Sequence, residues 1–254
     1  MARLIDTHCH VHEADYPIEA KEVRDKSLDK GVDTIICVGT SVRSSREAVA
    51  YALANSHAYS SVGIHPHDSF ESTAGLGWIL KEMQPQHKVV AIGETGLDYF
   101  YENSPRKMQI KRFEEQLQLA RDYNLPVIFH VRDAFDDFWP VVDNFSGVRG
   151  VLHSFTDTMK NAEVGLGRGF MVGMNGISVF TKEAAQQEMY DQLPLDSIVF
   201  ETDAPFLTPP PNRGKVNMPS MIYDIASYHA ERRGLSVEEI SHASTSNAQK
   251  LFGV

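Results

Sequence analysis

The chain has 254 residues, with 24 Lys+Arg against 34 Asp+Glu and a formal net charge of −10. Its 42% apolar and 23% charged content is that of an ordinary globular protein and excludes collagen-like, disordered and disulfide-scaffold classes. No apolar run approaches the roughly 18 residues needed to span a bilayer, and Asp6 and His8 interrupt the segment where a secretory signal needs an apolar stretch. With Cys9 and Cys37 read as reduced thiols, the expectation is a cytoplasmic protein with no membrane association, organised as one domain over residues 1–254. The acidic balance argues against a broad duplex-binding face, which phosphate neutralisation would make basic.

Short apolar runs recur in chain order and predict strands buried on both faces. The first, Arg3 to Ile5, leads into Asp6, His8 and His10. Alternate residues of a strand share a face, so these three point together. A helix follows and stops at Gly31, a C′ glycine. The second and third runs are Thr34 to Val38 and Tyr59 to Val62, the latter followed by His65 and His67. The fourth, Val89 to Ile92, precedes Glu94 and Asp98.

The spacing of Phe113, Leu117 and Ala120 predicts a helix from about Ser104 to Tyr123. Ser104 is its expected N-cap, Pro105 its first residue, and Asn124 its left-handed exit. The fifth run, Pro126 to Phe129, leads to His130 and Arg132. The sixth, Gly150 to Leu152, leads to His153, and the seventh is Phe170 to Val172. The eighth, Ser197 to Phe200, precedes Glu201 and Asp203. Prolines make Thr208 to Asn212 a loop, and Ser236 with Glu239 reads as a capping box.

Eight strands alternating with helices leave two solutions, an open doubly wound sheet or a closed (β/α)8 TIM barrel. The open sheet usually carries a Gly-rich first turn, whereas the first turn here is His8-Cys9-His10-Val11-His12. The α/β class with a (β/α)8 barrel is therefore expected. In a barrel the polar residues that follow the strands meet at one mouth. His57, His87, His229 and His242 fall in helical or loop stretches and receive no role.

Four histidines (His8, His10, His130, His153) and two carboxylates (Glu94, Asp203) at the C-terminal ends of five strands point to metal. Mixed imidazole and carboxylate donors suit Zn²⁺, Mn²⁺ or Fe²⁺, and carboxylate with water suits Mg²⁺. Six donors exceed the needs of one four-coordinate ion. Two divalent ions about 3.5–4 Å apart, sharing a carboxylate, would use them all, activate water near neutral pH and stabilise charge on a phosphoryl or carbonyl oxygen. A further carboxylate, Glu201 or Asp203, must accept the nucleophile's proton.

Asp6-Thr7-His8-Cys9-His10, Gly63-Ile64-His65-Pro66-His67, Gly93-Glu94-Thr95-Gly96-Leu97-Asp98-Tyr99, Leu125 to Ala134, His153-Ser154-Phe155 and Glu201-Thr202-Asp203-Ala204-Pro205 together resemble the TatD family of metal-dependent deoxyribonucleases. The closing Asn247 to Phe252 is also similar, so the resemblance covers essentially the whole chain. It implies a TIM barrel of the metal-dependent hydrolase superfamily. It also implies that His8 and His10 bind one ion, Glu94 bridges, and His130 and His153 bind the second. By the same resemblance Asp203 binds metal and handles protons, His65 lines the pocket and touches the scissile phosphate, and Glu201 supports the ligands. Two departures stand out. Arg213-Gly214-Lys215-Val216-Asn217-Met218-Pro219 lacks the second Arg and the Glu common after strand eight, and position 12 is His where aspartate is common.

The leading expectation is hydrolysis of phosphodiester bonds at single-stranded DNA ends, of the 3′–5′ exonuclease type, with two divalent ions (Mg²⁺, Mn²⁺ or Zn²⁺). Arg132, Arg213 and Lys215 are candidates for steadying phosphates. Tyr99, Phe100 and Tyr101 are candidates for base stacking or for packing at the barrel rim. The same metal pair would also serve hydrolysis of a small amide, ester or lactone, because fold does not fix substrate. A non-catalytic metal-binding protein is the remaining class.

Overall fold

A computed structural model describes residues 3–83, 86 and 88–254. Met1, Ala2, Gln84, Pro85 and His87, the last a histidine given no role, lie outside the described residues. The strands are β1 (Leu4–Cys9), β2 (Val32–Val38), β3 (Ala58–Val62), β4 (Val89–Asp98), β5 (Val127–Arg132), β6 (Gly150–Leu152), β7 (Met171–Met174) and β8 (Ile198–Phe200). They hydrogen-bond in chain order, β1 through β8. The helices between and after them are α1 (Ala20–Asp29), α2 (Val42–Ala54), α3 (Ala74–Met83), α4 (Arg106–Asp122), α5 (Phe135–Asp143), α6 (Met159–Gly167), α7 (Gly176–Phe180), α8 (Ala184–Gln192), α9 (Ile222–Arg233) and α10 (Val237–Phe252). A parallel sheet in chain order with alternating helices is the expected (β/α)8 barrel. Among the described residues no helix is long and apolar enough to cross a membrane.

The chain falls into two compact units, Met1–Ile36 with Ser154–Val254, and Cys37–His153. In the first, a parallel bridge between Cys9 and Ala204 joins the ends of β1 and β8. The His10 N–H donates to the Ala204 carbonyl at 2.7 Å and the Asp203 N–H to the His8 carbonyl at 2.8 Å. Helix α10 fastens the same pair: the Phe200 N–H donates to Ser244 Oγ at 2.9 Å, and Thr245 Oγ1 donates to the Arg3 carbonyl at 2.8 Å.

In the second unit β3, β4, β5 and β6 pair in parallel, with Val62 beside Ile92, Gly96 beside His130 and Phe129 beside Leu152. Phe113 of α4 stacks on Phe138 of α5 at 5.4 Å, and Phe129 of β5 meets Phe138 edge-on at 5.2 Å. This aromatic wedge holds the helices against the strands.

Several strands run further than their apolar runs. Asp6 and His8 lie inside β1, Glu94 and Asp98 inside β4, and His130 and Arg132 inside β5. The reason is physical: polar residues occupy the inward positions at the C-terminal ends, so apolar character stops before the backbone pairing does. Helix α4 also differs from expectation. Pro105 is its N-cap, without a side-chain hydrogen bond, while Ser104 is buried and donates its hydroxyl to the His67 carbonyl at 2.7 Å. The expected capping box of α10 is present. Gly31 and Asn124 both adopt positive φ where the helices before them end.

Candidate metal centre

Within the first unit, His8 and His10 share one face of β1 and its continuation. Their Nε2 atoms lie 3.1 Å apart. Asp203 Oδ1 stands 3.3 Å from His10 Nε2 and 3.6 Å from His8 Nε2. Asp203 sits at φ 57°, a left-handed conformation that costs energy outside glycine and that clusters at functional sites. It lets the chain reverse immediately after β8 and turn the carboxylate back toward the histidines.

Below this trio, buried Asp6 accepts hydrogen bonds on Oδ1 from the N–H groups of His8 at 3.2 Å and Thr202 at 2.9 Å, and on Oδ2 from the Thr202 hydroxyl at 2.5 Å. Burial outweighs these donors and pushes the Asp6 carboxyl up to about 7. Glu201 is fully buried. Its Oε1 accepts from the Ser154 N–H at 2.6 Å and the Asn175 amide at 3.5 Å. A Cβ at position 173 would come within 2.5 Å of Glu201 Oε2, so Gly173 makes room for that carboxylate.

Within the second unit, Glu94 is the hub. His130 Nδ1 lies 2.7 Å from its Oε1, His65 Nε2 3.6 Å and His153 Nε2 3.9 Å. The Glu94 backbone N–H donates to the Gly39 carbonyl at 2.8 Å. Gly96 crosses behind His130 so closely that a Cβ would sit 1.9 Å from the His130 carbonyl oxygen. His130 Nε2 donates to Asp98 Oδ2 at 3.0 Å, and His67 Nε2 donates to the same oxygen at 3.1 Å. Asp98 Oδ1 accepts the N–H groups of Phe100 and Tyr101, each at 3.0 Å.

Burial raises the Asp98 carboxyl, but hydrogen bonds from His130 and the Tyr101 N–H, with the charges of His130 and His67, hold it well below the usual carboxylate range. Burial lowers His130, yet hydrogen bonds to Asp98 and Glu94 overcome it and raise its pKa. His65 is driven down to about 3, first by burial and then by His130, against the pull of Glu94 and Asp98. Its Nδ1 accepts the His67 N–H at 3.2 Å, so its single proton sits on Nε2.

These donor sets fit divalent cations. Glu94 Oε1 has His130 Nδ1 and His153 Nε2 within 3.9 Å, and the mixture of imidazole and carboxylate suits Zn²⁺ or Mn²⁺. His130 is already ordered for ligation: Asp98 holds the Nε2 proton, which leaves Nδ1 facing Glu94. A carboxylate behind a ligating histidine is the usual way of fixing its tautomer. His65, by contrast, presents an N–H toward Glu94, which is the arrangement of a donor rather than of a ligand.

The other sequence candidates stand as follows. Arg132 is exposed and packs its guanidinium on Phe100. Arg213 lies on the ring of Phe180 at 3.7 Å and donates to the Thr208 carbonyl at 2.9 Å. Lys215 donates to Asn212 Oδ1 at 3.0 Å. His12 is buried, and burial followed by the charges of His10 and His8 lowers it to about 3.

Sequence reading passed over Gln109, Gln116, Asn175 and Asn217. Each is buried and grips a group near the site: Gln109 the Asp98 backbone, Gln116 the Ile64 backbone, Asn175 the Ser154 hydroxyl, and Asn217 the Thr202 carbonyl. Asp98 was visible with Glu94 after the fourth apolar run, but its role was not.

The chain matches the family of TatD-related DNases over residues 5–253. It is 35% identical over 254 residues to the uncharacterized metal-dependent hydrolase YabD of Bacillus subtilis, covering 99% of both chains. It is 34% identical over 242 residues to the 3′-5′ ssDNA/RNA exonuclease TatD of Citrobacter rodentium, covering 92% of this chain and 91% of that one. Among solved structures, the TatD homologue YjjV of Escherichia coli superposes with a TM-score of 0.91 at 28% identity, over 100% of this chain and 99% of that one.

Proposed function

The chain belongs to the TatD family of metal-dependent hydrolases, and from that premise we propose that it hydrolyses phosphodiester bonds at the ends of single-stranded DNA, in the 3′–5′ direction. The observation that carries the reading is the pair of donor clusters, His8–His10–Asp203 and Glu94–His130–His153, each drawn together within its own unit, in a family whose named relatives include a single-strand exonuclease.

Two divalent cations are proposed, with His8, His10 and Asp203 holding one and Glu94, His130 and His153 the other. When bound, such cations supply an activated water and neutralise charge on the phosphate. The protein's own groups do the rest. Asp203, turned back by its left-handed backbone, takes the proton of the attacking water. The neutral His65 donates its Nε2 proton to a phosphate oxygen, and its low pKa keeps it a hydrogen-bond donor without positive charge. Asp98 fixes the tautomer of His130. Glu201 holds the Ser154 N–H and the Asn175 amide in place. Arg132, Arg213 and Lys215 steady flanking phosphates.

The test is end-labelled single-stranded DNA incubated with Mg²⁺-, Mn²⁺- and Zn²⁺-loaded protein. Stepwise shortening from the 3′ end is expected. In Asp203→Asn and Glu94→Gln the rate should fall by about a hundredfold or more, with metal content lowered in Glu94→Gln by mass spectrometry. Turnover of amides, esters or lactones with every oligonucleotide left intact would overturn the proposal.

A further inference from the structure

Phe100 and Tyr101 follow β4 and are each 55% exposed. Their neighbour Tyr99 is engaged elsewhere: its hydroxyl donates to Asp137 at 2.7 Å and Arg106 lies over its ring at 4.2 Å. Of the aromatic residues after strand four, Phe100 and Tyr101 are the two that keep more than half of their surface exposed. The pair is held firmly, because the N–H groups of both residues donate to Asp98 Oδ1. Their rings meet edge to face at 4.8 Å.

Arg132 is the residue paired with Asp98 across the β4–β5 ladder. Its guanidinium lies 3.9 Å from the centroid of Phe100 and 4.9 Å from that of Tyr101. It is two positions beyond His130, on the same strand. Tyr101 also rests against the His67 ring at 5.5 Å, and His67 shares Asp98 with His130.

We propose that Phe100, Tyr101 and Arg132 form a stacking subsite for one unpaired nucleobase of a single-stranded nucleic acid, with Arg132 meeting the adjoining phosphate. This rests on the nuclease reading above and names the part of the substrate that reading leaves open. Every base has a π-face that an exposed ring can cover, while a phosphate needs a cation at a fixed distance from it. A ring pair with one arginine laid on it offers both at once. In an otherwise acidic chain such local charge attracts a polyanion without a broad basic face. A base within a duplex is stacked and paired, so the subsite selects unpaired ends.

The test uses a single-stranded oligonucleotide with phosphorothioate linkages and a 3′-terminal 2-aminopurine, titrated with Mn²⁺-loaded protein. Wild type should quench the 2-aminopurine fluorescence on binding. F100A/Y101A should lose the quench and bind roughly tenfold to a hundredfold more weakly, and F100W/Y101F should restore it. A matching oligonucleotide with an abasic 3′ end should lose about the same factor with wild type and nothing further with F100A/Y101A. Equal binding of the normal and abasic oligonucleotides by wild type, a comparison independent of how the variants fold, overturns the subsite and leaves the nuclease standing. Quenching that persists in F100A/Y101A does the same. Failure of wild type to bind or cleave any oligonucleotide overturns the nuclease reading and the subsite with it.

Discussion

Two buried aspartates, Asp6 and Asp98, meet opposite electrostatic surroundings. Asp98 faces two imidazoles and stays ionised, whereas Asp6 accepts only neutral donors from His8 and Thr202, and burial, with a smaller push from the Glu201 charge, raises it to about 7. In the metal-free protein the folded chain therefore keeps a proton on Asp6 that the unfolded chain, with a carboxyl pKa of about 3.9, has already released. Stability should fall as pH rises between about 4 and 7 and then level off. Asp6→Asn should flatten that part of the curve in urea titrations run across the range. For Asp98→Ala, loss of the Nε2 partner of His130 should weaken metal binding by about 10–100-fold, measured by calorimetry. Both residues were legible as polar residues beside a strand, Asp6 on one face with His8 and His10, and Asp98 with Glu94 after the fourth apolar run. What distinguishes them was not, because it depends on the partners that folding supplies from Thr202 in one case and His67 in the other.

At the scale of elements, α4 does more than cover the sheet. Gln109 and Gln116, seven residues apart on its buried face, act as amide clamps. Gln116 accepts the Ile64 N–H at 2.7 Å and donates to the Ile64 carbonyl at 3.0 Å. Gln109 does the same for Asp98, at 2.8 and 3.0 Å. The helix thus pairs with two otherwise open peptide groups as a neighbouring strand would, just before His65 and at Asp98. Gln116→Ala leaves a buried N–H and C=O without their partner and should cost about 1–3 kcal/mol, read as a lowered urea midpoint with unchanged slope. The apolar spacing of Phe113, Leu117 and Ala120 made the helix legible. The two glutamines on the same face were not, since glutamine is usually exposed and periodicity assigns it to solvent. The displaced N-cap has a similar origin: the Ser104 hydroxyl is turned to donate to the distant His67 carbonyl and does not accept a helix N–H.

For the whole molecule, the order of strands and helices was readable because a parallel sheet buried on both faces leaves unbroken apolar runs. The placement of both histidine pairs after such runs made the donor sets readable too. The substrate side was less so, because arginines and aromatic residues become a surface only once their exposure is known. Arg213 and Lys215 illustrate this, as their visible bonds stay within their own loop. With Arg132 as the main cation and a net charge of −10, binding of single-stranded DNA should depend only weakly on salt. The slope of log affinity against log salt should lie between about −0.7 and −2, as for one to three phosphates. A slope near −5 in anisotropy titrations would point to a wide basic footprint instead.

The first unit is stitched from two segments far apart in the chain, with Asp6 bonded to Thr202 across 196 positions. At about 5–20 residues per second, the ribosome needs roughly 10–40 s to carry synthesis from the first of these residues to the second. For that interval the nascent polypeptide displays His8 and His10 without the Asp203 carboxylate that stands against them in the folded unit. The His8–His10–Asp203 donor set is thereby completed only after Asp203 has been synthesised.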